Sequence, residues 1–354
     1  MNVLYICFLD FHDISAANAV RPYQMYQAFL ALNWNIKLVA TEQMQSNRLE
    51  RNRQIKEALQ WLRYHRPDFC YIESPTSSIK FALDYRLIRT LHKLKIPTAY
   101  FYRDFYHKFR GIKTRSLNLK ALLADVYMFF KRQKTDRYLK YFDIVYFPSK
   151  ESTRAFSHPD MRALPPAGIA GLDYQFVDNH TCIYVGGLAK RYGTNILIQA
   201  FDLLNKDGCY PLILVCREDE LEQYKHIRAF PWLQIVHASG DQLKAYYQKA
   251  VLALIPLEHI EYNNIAVSVK LYEYLSYGKP VLCTQNEAMA NLVRTLDCGS
   301  VCKDTAESLA INIKNMLEDK QTLKRFSQNA YHAVQKNENW IQRALQIRKD
   351  LLGE

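Results

Sequence analysis

Between Ser268 and Thr284 the chain must build a helix, stop it, and run directly into a buried strand. Ser268 is a residue type that caps helix N-termini, and Gly278 is the type that closes the other end in a left-handed conformation. Leu271 and Leu275 form an apolar stripe, while Lys270 and Glu273 share another face. Lys279-Pro280 then forces extension, and Val281-Leu282-Cys283 reads as a short buried strand. Lys270 is the anomaly. A cation in the first turn opposes the helix dipole. It becomes favourable when an anion such as a phosphate occupies that end. By spacing alone it reads equally well as a solvated lysine beside a glutamate.

The same alternation begins at the first residues. Val3–Phe8 reads as a strand, Arg21–Leu32 as a helix with Met25, Phe29 and Leu32 on one face, and Ile36–Ala40 as the second strand. This is how a doubly wound parallel sheet starts. The loop Leu9–Asn18 lacks glycine and is therefore no dinucleotide fingerprint. Helices are expected over Leu49–His65 and Ala82–Leu94, and strands over Phe69–Ile72, Thr98–Tyr102 and Asp143–Pro148. Arg103 and Asp104 follow a strand end, where ligands of open α/β sheets bind. They read either as a cleft pair or as an ion pair that orders a loop.

With 354 residues the chain suits two domains, and its 49% apolar content can fill two cores. Composition shifts to Pro and Gly at Leu164–Gly171, which marks the linker. The expected division is 1–165, 166–335 and a final helical segment 336–354 that returns to the first domain. No long apolar run argues for a membrane span. The opening Met1–Phe8 lacks a basic front and a cleavage site, so it reads as a strand and not a signal peptide. The eight cysteines do not read as a disulfide framework; Cys7, Cys182, Cys216 and Cys283 fall in expected buried strands, and a reducing compartment fits. Cys298 and Cys302 lack the support a zinc site needs.

The formal net charge is +12, and it is uneven. From Arg103 to Lys140 eleven basic residues stand against three aspartates, a net of +8 interleaved with aromatics such as Tyr127, Phe129 and Phe130. Basic and aromatic residues on helices suit an anionic membrane surface. They also suit a solvated face with aromatics turned to the core. No nucleic-acid-binding motif accompanies them, so nucleic acid is not expected as a partner.

In the second half, Thr181–Val185 reads as a strand followed by Gly186-Gly187-Leu188-Ala189-Lys190-Arg191-Tyr192-Gly193 and a helix capped near Thr194. Glycines between strand and helix let a phosphate approach the backbone. Strands are expected at Pro211–Cys216, Leu233–His237 and Val251–Ile255, a helix at Asp241–Ala250, and a loop over Pro256–Val267. Helices follow at Ala288–Leu296, Thr305–Leu317, Leu323–Val334 and Trp340–Leu352.

Lys-x-x-Glu-Tyr-Leu-x-x-Gly-Lys-Pro-Val at 270–281 resembles the nucleotide-sugar signature of GT-B glycosyltransferases of retaining family four and its relatives. The resemblance implies two Rossmann-like doubly wound domains facing a central cleft, with the second holding the donor and the first the acceptor. Glu273 resembles the glutamate that holds the donor ribose hydroxyls, and Lys270 the lysine on the diphosphate. The 186–193 loop resembles the family's Gly-Arg-Leu-x-x-x-Lys-Gly. It departs where the arginine slot holds Gly187 and the lysine slot Tyr192, with Lys190 and Arg191 nearby as substitutes. His237 ends a strand where the family contacts the base. The family's first glutamate falls on Ile265, and Glu258, Glu261, Asn263 and Asn264 crowd the same loop as replacements.

These positions imply transfer of a sugar from a nucleotide-diphosphate sugar to a hydroxyl of a lipid-linked glycan acceptor, in cell-surface polysaccharide synthesis. No cofactor beyond the donor is implied, and no Asp-x-Asp motif calls for a metal. Lys270 would stabilise the leaving diphosphate, and Asp104 would serve as base or orienting group on the acceptor. The expected place is the cytoplasm, peripheral at the inner face of the cell membrane. Two alternatives stand beside this reading. One is a degenerate, non-catalytic binding subunit, the other a nucleotide-sugar epimerase on the same fold.

Overall fold

The computed structural model describes residues 1–9, 19–41, 46–75, 78–103, 105, 108–109, 119–222, 227 and 230–353, and at 119–121 and 124–125 the backbone alone. It divides into two units, Met1–Pro165 with Trp340–Glu354, and Pro166–Asn339. Each is a parallel six-stranded sheet with helices packed against it.

The first unit runs β1 (Asn2–Cys7), α1 (Val20–Ala31), β2 (Asn35–Ala40), α2 (Arg48–Trp61), β3 (Phe69–Glu73), α3 (Ala82–Lys93), β4 (Thr98–Phe101), α4 (Leu119–Tyr138), β5 (Ile144–Phe147) and β6 (Met161–Ala163). Its sheet order is β2-β1-β3-β4-β5-β6. Strands β3, β4 and β5 are buried along their whole length, as a sheet covered on both faces requires.

The second unit runs β7 (Cys182–Val185), α5 (Thr194–Leu204), β8 (Leu212–Val215), α6 (Glu218–Leu221), β9 (Leu233–Val236), α7 (Lys244–Lys249), β10 (Leu252–Ile255), α8 (Glu261–Ile265), α9 (Val269–Ser276), β11 (Val281–Thr284), α10 (Glu287–Thr295), β12 (Gly299–Cys302), α11 (Ala306–Glu318) and α12 (Lys320–Lys336). The last helix, α13 (Trp340–Leu352), belongs to the first unit. The second sheet has the order β12-β11-β10-β7-β8-β9. Alternate strand residues feed two cores. Cys182, Tyr184, Leu212, Leu214, Leu252 and Leu254 pack with α5 and α11. Ile183, Ile213, Ala253, Ile255, Val281 and Cys283 pack with α7, α9 and α10. The order reverses between β7 and β10, and a ligand of such a sheet sits beyond the strand ends at that point.

Three local expectations need correction. The edge strands β6 and β12 were not expected, because Met161–Ala163 and Gly299–Cys302 are short and only partly buried. The stretch 256–267 is not all loop, since it contains the helical turn α8. The helix expected over Asp241–Ala250 opens as a 3-10 turn at Gly240–Leu243, capped by Ser239 and Gln242.

Two buried arginines organise the first unit. Arg51 gives Nε and Nη2 to Asp84 Oδ1 at 3.0 and 2.7 Å and Nη1 to the Cys7 carbonyl at 2.7 Å. Arg21 pairs with Glu73 at 3.0 Å and donates to the Leu164 and Pro165 carbonyls at 3.1 and 3.2 Å. Its guanidinium also lies 3.5 Å from the centre of the Phe101 ring. Helix α13 is tied to the same sheet, because Asp350 accepts from Tyr146 at 2.7 Å and from Arg162 at 2.6 Å.

Glu73 is fully buried, its Oε1 held by Arg21 and by Tyr71 at 2.7 Å. Arg21→Met leaves that carboxylate with no cation and should cost about 3–5 kcal/mol in denaturant titration. Adding Glu73→Gln should recover part of the loss. Unchanged stability of the single variant would show that the pair does not hold the unit.

Candidate functional site

The switch point of the second unit is built from two backbone approaches. Gly193, at φ +72°, ends the turn before α5, and a Cβ there would overlap the Pro256 carbonyl that follows β10. The loop after β10 closes on the same turn. The Arg191 carbonyl accepts from Glu258 N at 3.3 Å and from Asn263 Nδ2 at 3.1 Å. The Tyr274 hydroxyl accepts from Val185 N at 2.9 Å and reaches the Leu254 carbonyl at 3.5 Å, so one phenol spans the ends of β7 and β10.

Helix α9 delivers Lys270 and Glu273 to this place. Ser268 caps it, accepting from Lys270 N at 3.3 Å, and Gly278 at φ +61° follows it. The Lys270 ammonium lies where Gly186 has no side chain, and a Cβ there would collide with Nζ. Nζ is 5.4 Å from the ring centres of both Tyr184 and Tyr192, within range of the ring quadrupoles. Desolvation lowers the Lys270 pKa to about 8, with Glu273 and Glu220 opposing it. Burial raises the Glu273 carboxyl above its ordinary value, against the pull of the Tyr247 hydroxyl and Lys270.

The amides at the start of α5 add to this positive end, since a helix leaves its first N–H groups without intrahelical partners. The Thr194 hydroxyl beside them is buried with no hydrogen-bond partner. The site thus offers a desolvated ammonium resting on Gly186 and, at the end of the same loop, the helix N-terminus that follows Gly193. That combination recognises a phosphate-bearing anion.

Of the residues expected from the sequence, the structure brings together Gly186, Lys270 and Glu273. Gly187 faces the Tyr192 ring and the Glu220 carboxylate. Arg191 hydrogen-bonds the Tyr192 hydroxyl at 2.7 Å and stacks over its ring. Lys190 is exposed on the same turn. His237 is exposed after β9, its Nδ1 2.9 Å from the Cys216 carbonyl. Asn264 turns to His259 at 3.4 Å and to Glu287 N at 3.4 Å. Asp104 lies outside the described residues.

Four residues of the site were not singled out as such. Tyr184 and Tyr274 sat inside strand and helix patterns that any buried aromatic satisfies. Tyr192 was noted only as a replacement for a lysine. Glu220, which accepts from Leu188 N at 2.6 Å, is far away in sequence and carried no signal.

Two outcomes follow for this geometry. Gly186→Ala should displace the ammonium and weaken diphosphate binding as much as Lys270→Ala does, with little loss of stability. Gly193→Ala should destabilise the fold, because backbone cannot yield as a lysine tip can; calorimetry and melting curves separate the two. The second outcome concerns pH. The folded Lys270 loses its proton near 8 and the unfolded one near 10.5, so stability should rise with pH across that window. Affinity for a nucleoside diphosphate should instead fall by about tenfold per pH unit above the lower value, as the binding cation is lost. Lys279, also lowered to about 8 by burial, is the control. The affinity slope should vanish in Lys270→Gln and persist in Lys279→Gln.

Residues 175–333 match the family model described as Glycosyl transferases group 1. No curated protein matches the chain in sequence. Among solved structures, sucrose-phosphate synthase from Thermosynechococcus elongatus superposes with a TM-score of 0.68 at 15% identity, over 99% of this chain and 98% of that one. HepE of Anabaena, in complex with UDP, gives 0.64 at 13% identity over 100% of both chains. WaaG, titled a glycosyltransferase involved in lipopolysaccharide biosynthesis, gives 0.60 at 13% identity over 99% of this chain and 100% of that one. The second unit therefore carries the match to the glycosyl transferases group 1 model, and the chain has the two-domain GT-B fold of these structures.

Proposed function

We propose that the protein transfers a sugar from a nucleotide-diphosphate sugar to a hydroxyl of a lipid-linked glycan acceptor, in the synthesis of cell-surface polysaccharide at the inner face of the membrane. One observation carries the donor half of this reading. The Lys270 ammonium is partly shielded from water against Gly186, beside Glu273, at the switch point of the second sheet. Desolvation outweighs the neighbouring carboxylates at this ammonium, and a diphosphate supplies further negative charge where it is favourable. Structures of similar fold support the same reading, since HepE is known in complex with UDP, with UDP-glucose, and with UDP and glucose.

In the reaction the sugar carbon gains a bond to the acceptor oxygen and loses its bond to the diphosphate, which leaves with the electron pair. Lys270 and the α5 N-terminus stabilise the charge growing on that leaving group. This chemistry needs no metal ion if the ammonium takes that role. The acceptor proton goes to a base or is lost to solvent, and the sequence nominates Asp104 for orienting the hydroxyl. Glu273 holds the donor ribose through charge-assisted hydrogen bonds.

Glu273→Ala should weaken nucleotide binding by about 1.5–3 kcal/mol, the worth of hydrogen bonds to a charged group. Lys270→Ala should weaken diphosphates far more than nucleosides. Isothermal titration of wild type and both variants measures this, and equal binding by all three would end the proposal. A second reading, a non-catalytic binding subunit, draws on Gly187, Tyr192 and Ile265 standing in the family's arginine, lysine and first-glutamate slots. A panel of nucleotide sugars separates the two. Stabilisation with turnover supports the transferase, and stabilisation without turnover on any acceptor supports the binding subunit.

A further inference from the structure

The Gly187–Leu188 peptide is fixed at both ends by side chains from different elements. The Tyr184 hydroxyl donates to the Gly187 carbonyl at 2.7 Å, and Glu220 Oε2 accepts from Leu188 N at 2.6 Å. Strand β8 delivers that carboxylate. Its end lies against the glycine loop, where Gly186 N donates to the Val215 carbonyl at 2.9 Å. The chain then turns through Arg217 into α6, and Leu221 sinks into the core and holds this short helix down. A Cβ on Gly187 would stand 3.0 Å from Glu220 Oε2 and 2.9 Å from the Tyr192 ring, so the carboxylate rests directly on the loop.

An uncharged oxygen would accept from Leu188 N as well, so the charge of Glu220 has to be accounted for separately. Its Oε1 pairs at 3.2 Å with Arg217, whose side chain is 80% exposed, and solvent screens such a pair. One residue back along the loop, the Lys270 ammonium fills the space over Gly186. Glu273 faces that ammonium from its own helix, Glu220 from α6, and the rings of Tyr184 and Tyr192 from β7 and the loop. Arg191, over the Tyr192 ring, is the cation of the same turn. Both carboxylates favour the protonated lysine against its desolvation. Near an anion site a carboxylate repels the ligand, and that cost is offset where it keeps the binding cation charged.

We infer that Glu220 is a positioning residue of the donor site, fixing the Gly187–Leu188 peptide and supplying a second counter-charge to Lys270. The inference rests on the proposed donor reading, in which Lys270 meets the diphosphate. Isothermal titration with uridine diphosphate, across the window around pH 8 in which Lys270 titrates, tests it. Glu220→Gln keeps an oxygen for Leu188 N and removes the charge. Below the window its affinity should match or exceed that of wild type, and the fall in affinity should begin about half a pH unit or more lower. Glu220→Ala removes the acceptor as well and should weaken binding about tenfold below the window too. Glu218→Gln removes one charge from an exposed position on the same helix and should leave the profile where wild type has it.

A glutamate that only braces the loop would lower the melting temperature of its variants without moving the pH profile, and that result overturns the inference. So does a Glu218→Gln profile that moves as far as that of Glu220→Gln, because the effect would then be one of net charge. NMR of isotopically labelled lysine side chains asks the same question without nucleotide, the Lys270 resonance being assigned by its loss in Lys270→Arg. The Lys270 titration midpoint should lie lower in Glu220→Gln than in wild type, and an unmoved midpoint overturns the inference. Failure of wild type to bind uridine diphosphate would count against the donor reading, and the ligand-free titration would still decide whether Glu220 acts on Lys270.

Discussion

The close approach of the β7–α5 turn to the end of β10 is the constraint on which the second unit's site depends. It exists because Gly193 has no Cβ to strike the Pro256 carbonyl and can adopt a positive φ without strain. Once the turn is down, the Arg191 carbonyl is within reach of Asn263, and Tyr274 joins the two strand ends. A second missing Cβ, at Gly186, leaves room for the Lys270 ammonium. Two glycines on one loop thus do different work, one for the backbone and one for a cation.

The cation is placed at a cost. Helix α9 starts with a lysine in its first turn, where the dipole disfavours it. Desolvation then lowers its pKa to about 8, although Glu273 and Glu220 pull the other way. A bound anion would offset both penalties. Burial likewise raises Glu273, and among the described residues the buried Thr194 hydroxyl has no hydrogen-bond partner. Sites that are incomplete by themselves are where ligands supply the missing interactions.

The buried charges of the first unit are of the opposite kind. Arg51 is closed by Asp84 and backbone carbonyls, and Arg21 by Glu73, Tyr71 and the Leu164 and Pro165 carbonyls. These arginines fasten helices and the exit of β6 to the sheet. Helix α4 differs again, because among its described residues several large apolar side chains and the cations Lys134 and Arg137 are exposed.

The alternation of short buried strands with amphipathic helices was legible in the chain, because burial on both faces of a parallel sheet demands continuous apolar runs at β3, β7 and β10. So were the ends of α9, since a serine cap and a left-handed glycine are local chemistry. The edge strands β6 and β12 were not, because a half-exposed three- or four-residue segment has no periodicity to read. Spacing showed Lys270 and Glu273 on one helix face, and their role at a donor site was legible only through the resemblance of the 270–281 motif. That Lys270 would rest on Gly186 and between the rings of Tyr184 and Tyr192 was not, because those contacts join residues far apart in the chain. The sequence by itself determined which segments become strands and helices and which carry charge. Only the tertiary structure decided which of those charges are paired, which are desolvated, and which aromatic residues of α4 are left facing outward, because burial belongs to the packed unit and not to any stretch of chain.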